Sequence, residues 1–364
     1  MFQAVFDLEG PISPQDNAYE VMKLVENGDH IFEVISKYDD VLTLQGRKNY
    51  EPGDTLKLIV PFLIFNGISE EDIKKVSRKA KIVSGAKELI NRLKSDNWAI
   101  YIISTSYEQH AHNIAEQIGI APDSVYSTKL PLDSYLLESK SEDMSIIEKT
   151  QADILSFYFK YGIDNTKKFN DIVYKLDKVF FSDIPKTRFG KILNQVQVIG
   201  GERKVTAMMQ AIGGLNHIKD TMAVGDSITD YKMLKTVKEG CGLSIVFNGN
   251  MFSLPYASVA IAGEDIRPIY LLAKLFTEGG DDLVFATAKN LEDNFKQNEI
   301  NIQKIFKDVF TPEIAQFLIE PKHVLKFPYI NLIESASDEK LHHIAEIHKR
   351  FRRIVRGADV SQLG

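Results

Sequence analysis

The sequence has little cysteine, no long apolar run and no excess of positive charge. A single cysteine, Cys241, stands among 364 residues, which excludes a disulfide within the chain and fits a reducing compartment. The apolar stretch 58–65 contains a proline and is far shorter than the roughly 20 residues that a membrane span needs. A formal net charge of −6 gives no reason to expect a nucleic-acid partner. Since the N-terminus also lacks the pattern of a signal peptide, we expect a cytoplasmic protein without membrane insertion.

The bulk composition is that of an ordinary globular protein. Apolar residues make up 44% and charged residues 26% of the sequence. At roughly 100–200 residues per domain, the length predicts two or three domains.

The pattern of apolar residues predicts an α/β core interrupted by helical units. Short apolar runs that end in small or polar residues alternate with amphipathic segments, which is typical of strands buried in a parallel sheet with helices on its faces. This pattern occupies residues 1–12, 82–131 and 197–276. Between and after these segments the periodicity is helical, which predicts a first helical unit at 13–81, a second at 132–196 and a helical C-terminal extension at 277–364.

Two carboxylates follow the first apolar run, at Asp7 and Glu9. If the run is a strand, both side chains project on the same side where the chain leaves the sheet. Carboxylates at the carboxyl end of a central strand are costly unless a cation or a reaction uses them. This stretch alone permits two interpretations, a solvated acidic turn or a functional site.

Three later positions carry polar side chains that also suit a site. The apolar run 98–103 leads into Ser104 and Thr105, which we place at the end of a strand, although hydroxyls there often serve only as helix caps. Lys204 opens a helix, where a positive charge opposes the helix dipole; a solvated lysine is the simpler alternative. Another apolar strand ends at Gly225 and is followed by Asp226 and Asp230.

In an open parallel sheet these strand ends face one crevice. Four carboxylates gathered there would repel one another without a cation, and oxygen ligands favour a hard ion such as Mg²⁺. A hydroxyl, a lysine and magnesium around a carboxylate suit a phosphoryl group, with the carboxylate as nucleophile.

The order and spacing of these residues resemble the haloacid dehalogenase (HAD) superfamily, in its phosphoserine-phosphatase-like branch. The motifs that carry the resemblance are Asp7-Leu8-Glu9-Gly10-Pro11, a strand ending at Ser104, Lys204 at a helix start, and Val224-Gly225-Asp226 with Asp230 four residues later. The resemblance covers residues 1–130 and 198–276. It implies a Rossmann-like parallel sheet, with the helical unit at 13–81 as a cap and the one at 132–196 where other members place a second cap.

The resemblance also implies a role for each matching residue. Asp7 would be the nucleophile and a Mg²⁺ ligand, and Asp226 a second metal ligand. Glu9 would be the general acid/base and would lend its backbone carbonyl to the metal. The remaining residues divide between phosphoryl binding (Ser104, Thr105, Lys204) and orientation of the metal shell or of the lysine (Asp230).

Two departures from the family pattern shape the functional hypotheses. Glu9 replaces the usual aspartate, and the cap arginine that holds the phosphoserine carboxylate has no clear match. The first hypothesis is a Mg²⁺-dependent phosphohydrolase acting on a small phosphorylated metabolite. The second is a regulatory or accessory subunit on the same fold, since archaeal proteins that resemble this branch have been named as accessory subunits of membrane hydrogenase complexes. A protein partner, or a homodimer through the C-terminal helices, would fit either hypothesis.

Overall fold

The computed structural model describes residues 1–138, 141–297, 311–319 and 328–357. Seven strands form one sheet: β1 (Gln3–Phe6), β2 (Ala99–Tyr107), β3 (Val125–Thr128), β4 (Thr221–Gly225), β5 (Leu243–Phe247), β6 (Val259–Ala262) and β7 (Tyr329–Leu332). Their spatial order is β3-β2-β1-β4-β5-β6-β7. The first six are parallel, and β7 runs antiparallel to β6.

Sixteen α-helices are present in the described residues. They are α1 (Asn17–Met22), α2 (Gly28–Leu44), α3 (Thr55–Leu58), α4 (Val60–Phe65), α5 (Glu70–Ser77), α6 (Ala86–Ser95), α7 (Glu108–Gln117), α8 (Leu132–Glu138), α9 (Ser141–Tyr161), α10 (Thr166–Lys178), α11 (Arg188–Gln195), α12 (Glu202–Ile212), α13 (Tyr231–Glu239), α14 (Pro268–Gln297), α15 (Pro312–Ile319) and α16 (Asp338–Arg356). None of these helices combines the length and apolar character that crossing a membrane requires.

The central strands are buried on both faces because helices cover both. In β1, Ala4 and Phe6 pack into one apolar cluster with α6, α7 and α14, whereas Val5 packs into another with α12, α13 and α16. Successive side chains of a strand point to opposite faces, so one uniformly apolar strand serves both layers. This arrangement confirms the predicted α/β class with a Rossmann-like parallel sheet.

The two helical units of the sequence pack as one body. Apolar residues from α1–α5 and from α8–α11 share a single buried cluster, in which Phe32 of α2 and Phe189 of α11 are members. Helix α5 begins with a capping box, in which the Ser69 side chain accepts from Asp72 N and the Asp72 side chain accepts from Ser69 N. The domain limits themselves stay predictions.

The C-terminal extension differs from the helical prediction in one element. Strand β7 lies inside it and pairs with the edge strand β6, with Ile330 opposite Ile261. The prediction of helix throughout is wrong here, because a four-residue strand has no periodicity of its own and is defined by the edge on which it pairs. Helix α14 breaks at Gly279 and Gly280, close to the predicted boundary at 277. The predictions for 298–310, 320–327 and 358–364 lie outside the described residues.

Candidate active site

Asp7 lies at the centre of the carboxyl edge of the sheet. Its backbone N–H donates to the Val224 carbonyl at 2.8 Å, which extends the β1–β4 ladder by one residue beyond Phe6. The register therefore brings Asp7 beside the turn that follows β4. The residue is 4% exposed, so the acidic turn is not solvated.

The turn after β4 is closed by its own second aspartate. One carboxylate oxygen of Asp230 (Oδ2) accepts from the backbone N–H groups of Asp226 and Ser227, both at 3.0 Å. Gly225 makes this possible, since a Cβ on that residue would lie 2.6 Å from the Cβ of Asp230. The spacing of four residues therefore lets Asp230 fold back and fix the orientation of Asp226.

Lys204 joins the two halves of the site. Its Nζ lies 2.7 Å from Asp7 Oδ1 and 2.6 Å from Asp230 Oδ1, and its side chain is fully buried. Burial lowers the pKa of Lys204, but the nearby Asp230 and Asp7 raise it by more than burial lowers it. The net shift of the pKa is therefore upward, and the ammonium stays charged. The alternative of a solvated lysine is thus contradicted.

The Asp7 carboxylate is held between opposing influences. Burial and the neighbouring Asp230 raise its pKa to about 7, although Lys204 counteracts them. Its Oδ1 also accepts from Leu8 N at 2.8 Å. Near neutral pH a substantial fraction of this group is therefore ionised, and a backbone donor and a lysine hold it in one orientation.

Glu9 occupies a separate environment two residues further on. Its Oε1 accepts from Asn17 N at 2.9 Å, and its side chain is 17% exposed. Burial and the nearby Asp16 raise the pKa of Glu9 to about 8, so the group carries a proton at neutral pH. The Nε2 atom of His110 lies 3.9 Å from Oε1, but burial lowers the pKa of His110 to about 3 and keeps that ring neutral.

A small cavity of about 80 Å³ lies where the helical body covers this edge of the sheet. Asp7, Glu9 and Thr105 line it from the sheet, and Phe32 and Asp39 of α2 line it from the helical body. The carboxylates of Asp7 and Glu9 therefore face the same half-open space, where a small ligand would meet both.

The hydroxyl residues are placed differently from the prediction. Strand β2 continues through Tyr107 rather than ending at Ser104, and its pairing with β3 shifts register between Ile103 and Tyr107. The Ser104 hydroxyl is fully buried and accepts from Ser106 N at 3.1 Å. Thr105 borders the cavity, while its hydroxyl donates to the Ile199 carbonyl at 3.1 Å. The irregular register follows from tertiary pairing, which a local apolar pattern does not encode.

The carboxylate cluster has the donor set of a hard cation. One oxygen from each of Asp7, Asp226 and Asp230 lies within 4.8 Å of the others, and all three residues are buried. Among the atoms that the structure describes, Asp226 Oδ1 is buried without a hydrogen-bond partner. Because both oxygens of Asp230 are already used by Lys204 and by the turn, Asp7 and Asp226 are the residues that could hold an ion such as Mg²⁺.

Two arginines that the sequence analysis did not single out reach the same cluster. Arg352 and Arg356 of α16 both pair with Asp226 Oδ2, Arg356 at 3.0 Å. The basic end of this helix is explained from sequence by the helix dipole. The signal that could have found them is their position, four and eight residues after the buried His348, on the face that also carries the buried Ile344 and Phe351.

Gly10 makes room for this arrangement. Its φ of +112° is in the region that favours glycine, and a Cβ there would lie 2.4 Å from Asp226 Oδ2. Arg356 Nε also donates to the Pro14 carbonyl at 3.2 Å, so the C-terminal helix contacts the loop after β1 as well.

Fold and site together define an α/β protein with a buried carboxylate–lysine cluster at the carboxyl ends of its central strands. The chain is similar to gene product AF1437 from Archaeoglobus fulgidus, with 26% identity, a TM-score of 0.77, and coverage of 100% of this chain and 99% of that one. The two proteins therefore share the fold. No family model and no curated protein matches the sequence.

Two further solved structures show weaker likeness to the chain. A phosphoserine phosphatase, in a structure of a phospho-aspartyl intermediate analogue, is 18% identical, with a TM-score of 0.47 over 74% of this chain and 97% of that one. A HAD family hydrolase from Salmonella enterica serovar Typhi is 12% identical, with a TM-score of 0.42 over 69% and 63%. Likenesses of this strength do not assign an activity. An assignment of activity therefore depends on the geometry of the site.

Proposed function

We propose that the protein is a phosphohydrolase of the HAD type, acting on a small phosphomonoester through an aspartyl-phosphate on Asp7. The observation that carries the proposal is the buried Asp7–Lys204–Asp230 cluster, with contacts of 2.7 and 2.6 Å, whose Asp7 lines a half-open cavity together with Glu9. The order of these residues along the chain, which resembles the HAD motifs, supports the same reaction class.

In the first step an Asp7 carboxylate oxygen attacks phosphorus, a P–O bond to Asp7 forms, and the P–O bond to the leaving alcohol breaks. Glu9 is suited to give its proton to the leaving oxygen, because its raised pKa keeps it protonated at neutral pH. In the second step a water attacks phosphorus, the ionised Glu9 takes the proton from that water, and the bond to Asp7 breaks. Inorganic phosphate and the starting form of Asp7 result.

Lys204 has two tasks in this scheme. It orients the attacking carboxylate through the contact with Oδ1, and its charge stabilises phosphoryl oxygens at the mouth of the same cluster. Asp230 holds the lysine in place through the 2.6 Å contact. Thr105, which borders the cavity, is a candidate for additional contact with the phosphoryl group, whereas the buried Ser104 hydroxyl would have to leave its contact with Ser106 N to do so.

A Mg²⁺ ion, held by Asp7 and Asp226 together with the Glu9 backbone carbonyl, would neutralise phosphoryl oxygens when bound. Its fit rests on the all-oxygen donor set and on the unpartnered Asp226 Oδ1.

The test is hydrolysis of p-nitrophenyl phosphate with added MgCl₂, followed by a panel of phosphorylated metabolites. We expect turnover by the wild-type chain and its loss in Asp7→Asn, which keeps the shape but removes the nucleophilic charge. Asp123→Asn changes an exposed carboxylate before β3 that does not line the cavity, so this control should leave the rate unchanged. Turnover that survives Asp7→Asn would contradict the role of Asp7.

A binding or regulatory subunit on the same fold is the second candidate. The observation that favours it is the pairing of Asp226, a residue the metal would need, with Arg352 and Arg356. A stoichiometric partner in a pull-down from the native source, together with no turnover on any phosphoester of the panel, would support this candidate. A monomeric, active enzyme would count against it.

A further inference from the structure

Three buried polar side chains of the C-terminal helix α16 contact the loops that follow β4 and β5. His348, Arg352 and Arg356 follow one another at intervals of four residues, so they lie along one side of α16. His348 Nδ1 accepts from Gly249 N at 3.0 Å, and both arginines pair with Asp226. The side chains of Arg352 and Arg356 are only 3% and 6% exposed, so these ion pairs are shielded from water.

The charges of the cluster balance within the chain itself. When all three are ionised, the carboxylates of Asp7, Asp226 and Asp230 contribute three negative charges. They contact three cations, with Lys204 between Asp7 and Asp230 and the two arginines at Asp226. Lys204 supplies one positive charge, and Arg352 and Arg356 together supply two. The two arginines thus carry the same charge as one divalent cation.

We propose that Arg352 and Arg356 are built-in counter-ions of Asp226 that compete with a divalent cation for this carboxylate. An ion bound at the unpartnered Oδ1 would sit beside two guanidiniums on Oδ2 of the same group. Like charges so close together in a buried site repel strongly, because little water is present to screen them. The inference deepens the proposed function, since it concerns the cation of that site, but its readout is binding and not turnover.

The arginines are held in place by the packing of α16. Leu341, Ile344 and Phe351 are buried on the same helix, and the Phe351 ring lies 5.7 Å from the Tyr329 ring of β7. The Ser337 side chain caps the helix start by accepting from Lys340 N. Truncation of α16 would expose the apolar surface that this helix covers. Substitution of the two arginines is therefore a cleaner test than truncation.

The experiment measures the affinity for Mg²⁺ by titration calorimetry with MgCl₂, and for Mn²⁺ by electron paramagnetic resonance, at constant ionic strength. The variant Arg352→Met/Arg356→Met keeps the aliphatic stems and removes two charges. The matched control Arg350→Met/Arg353→Met removes two charges from exposed positions of the same helix. We expect the first variant to bind both ions at least tenfold more tightly than wild type, and the control to bind within twofold of wild type.

Equal affinity in wild type and Arg352→Met/Arg356→Met would overturn the proposal, as would an equal gain in the control. Circular dichroism checks that each variant is folded. If the double variant does not fold, Arg356→Met alone serves, and we expect at least threefold tighter binding from it; an unchanged affinity would overturn the proposal. A gain in affinity without turnover on any phosphoester would retain this inference and refute the proposed function, so the two can fail separately.

Discussion

Lys204→Met is the substitution whose consequence follows most directly from the buried cluster. The lysine is fully buried between Asp7 Oδ1 and Asp230 Oδ1, at 2.7 and 2.6 Å. With an effective dielectric constant of about 20, each pair contributes roughly 6 kcal/mol of Coulomb attraction, offset by the desolvation of three charged groups. Removing one partner of a buried pair leaves the other uncompensated and typically costs about 3–5 kcal/mol.

We therefore expect Lys204→Met to lower the free energy of unfolding by about 3–5 kcal/mol at pH 8. The cost should shrink by about 1.4 kcal/mol between pH 8 and pH 6. The reason is that, without the lysine, the pKa of the remaining carboxylates rises further. The folded variant then takes up a proton that the unfolded chain does not, and such a group adds stability as the pH falls.

Urea unfolding followed by the fluorescence of Trp98 measures this effect, since the chain has one tryptophan and that residue is 5% exposed in the core. Lys232→Met is the matched control. Lys232 pairs with Glu51 Oε2 at 3.0 Å but its side chain is 27% exposed, so its loss should cost no more than about 1 kcal/mol.

A double-mutant cycle tests the charge balance itself. Lys204→Met with Asp230→Asn restores equal numbers of positive and negative charges, and the asparagine oxygen can still accept from the turn N–H groups. We expect the double variant to be more stable than the sum of the single effects predicts, by at least about 1.5 kcal/mol. Simple additivity, or a cost of Lys204→Met no larger than that of the control, would refute the reasoning.

Three further predictions concern neighbouring features. Gly10→Ala should destabilise the fold by at least about 2 kcal/mol in urea unfolding, because its φ is +112° and a Cβ would lie 2.4 Å from Asp226 Oδ2; a neutral effect would contradict the packing. His348→Asn keeps an acceptor for Gly249 N, and burial lowers the pKa of His348 to about 3. The stability of wild type relative to this variant should therefore be about 1.4 kcal/mol lower at pH 5.5 than at pH 7.5, since the unfolded histidine gains a proton that the folded one does not; a constant difference would be the contrary result. In steady-state assays, Glu9→Gln should reduce kcat at least about 100-fold with p-nitrophenyl phosphate as substrate and remove the high-pH limb of the rate profile; an unchanged pH profile would speak against a proton donor at this position.

The fold class and the meeting of the acidic strand ends are both readable from the amino-acid sequence. Strands that end at Asp7 and before Asp226, with helices between them, predict a parallel sheet whose carboxyl edges adjoin. The structure brings these two residues together with Lys204 and Asp230. Such features are readable because each depends on a few consecutive residues: an apolar run, a glycine at the turn, and an acid at fixed spacing.

Other features depend on contacts between residues that are distant along the chain. Strand β7 exists because the edge of β6 offers unpaired backbone groups, and the two helical units form one body because their apolar faces match each other. Arg352 lies 126 residues from Asp226 along the chain, and from sequence its charge suits any helix C-terminus equally well. Only the packing of α16 against the sheet brings that charge to the buried carboxylate, because ion pairing depends on distance in space and leaves no local pattern in the chain.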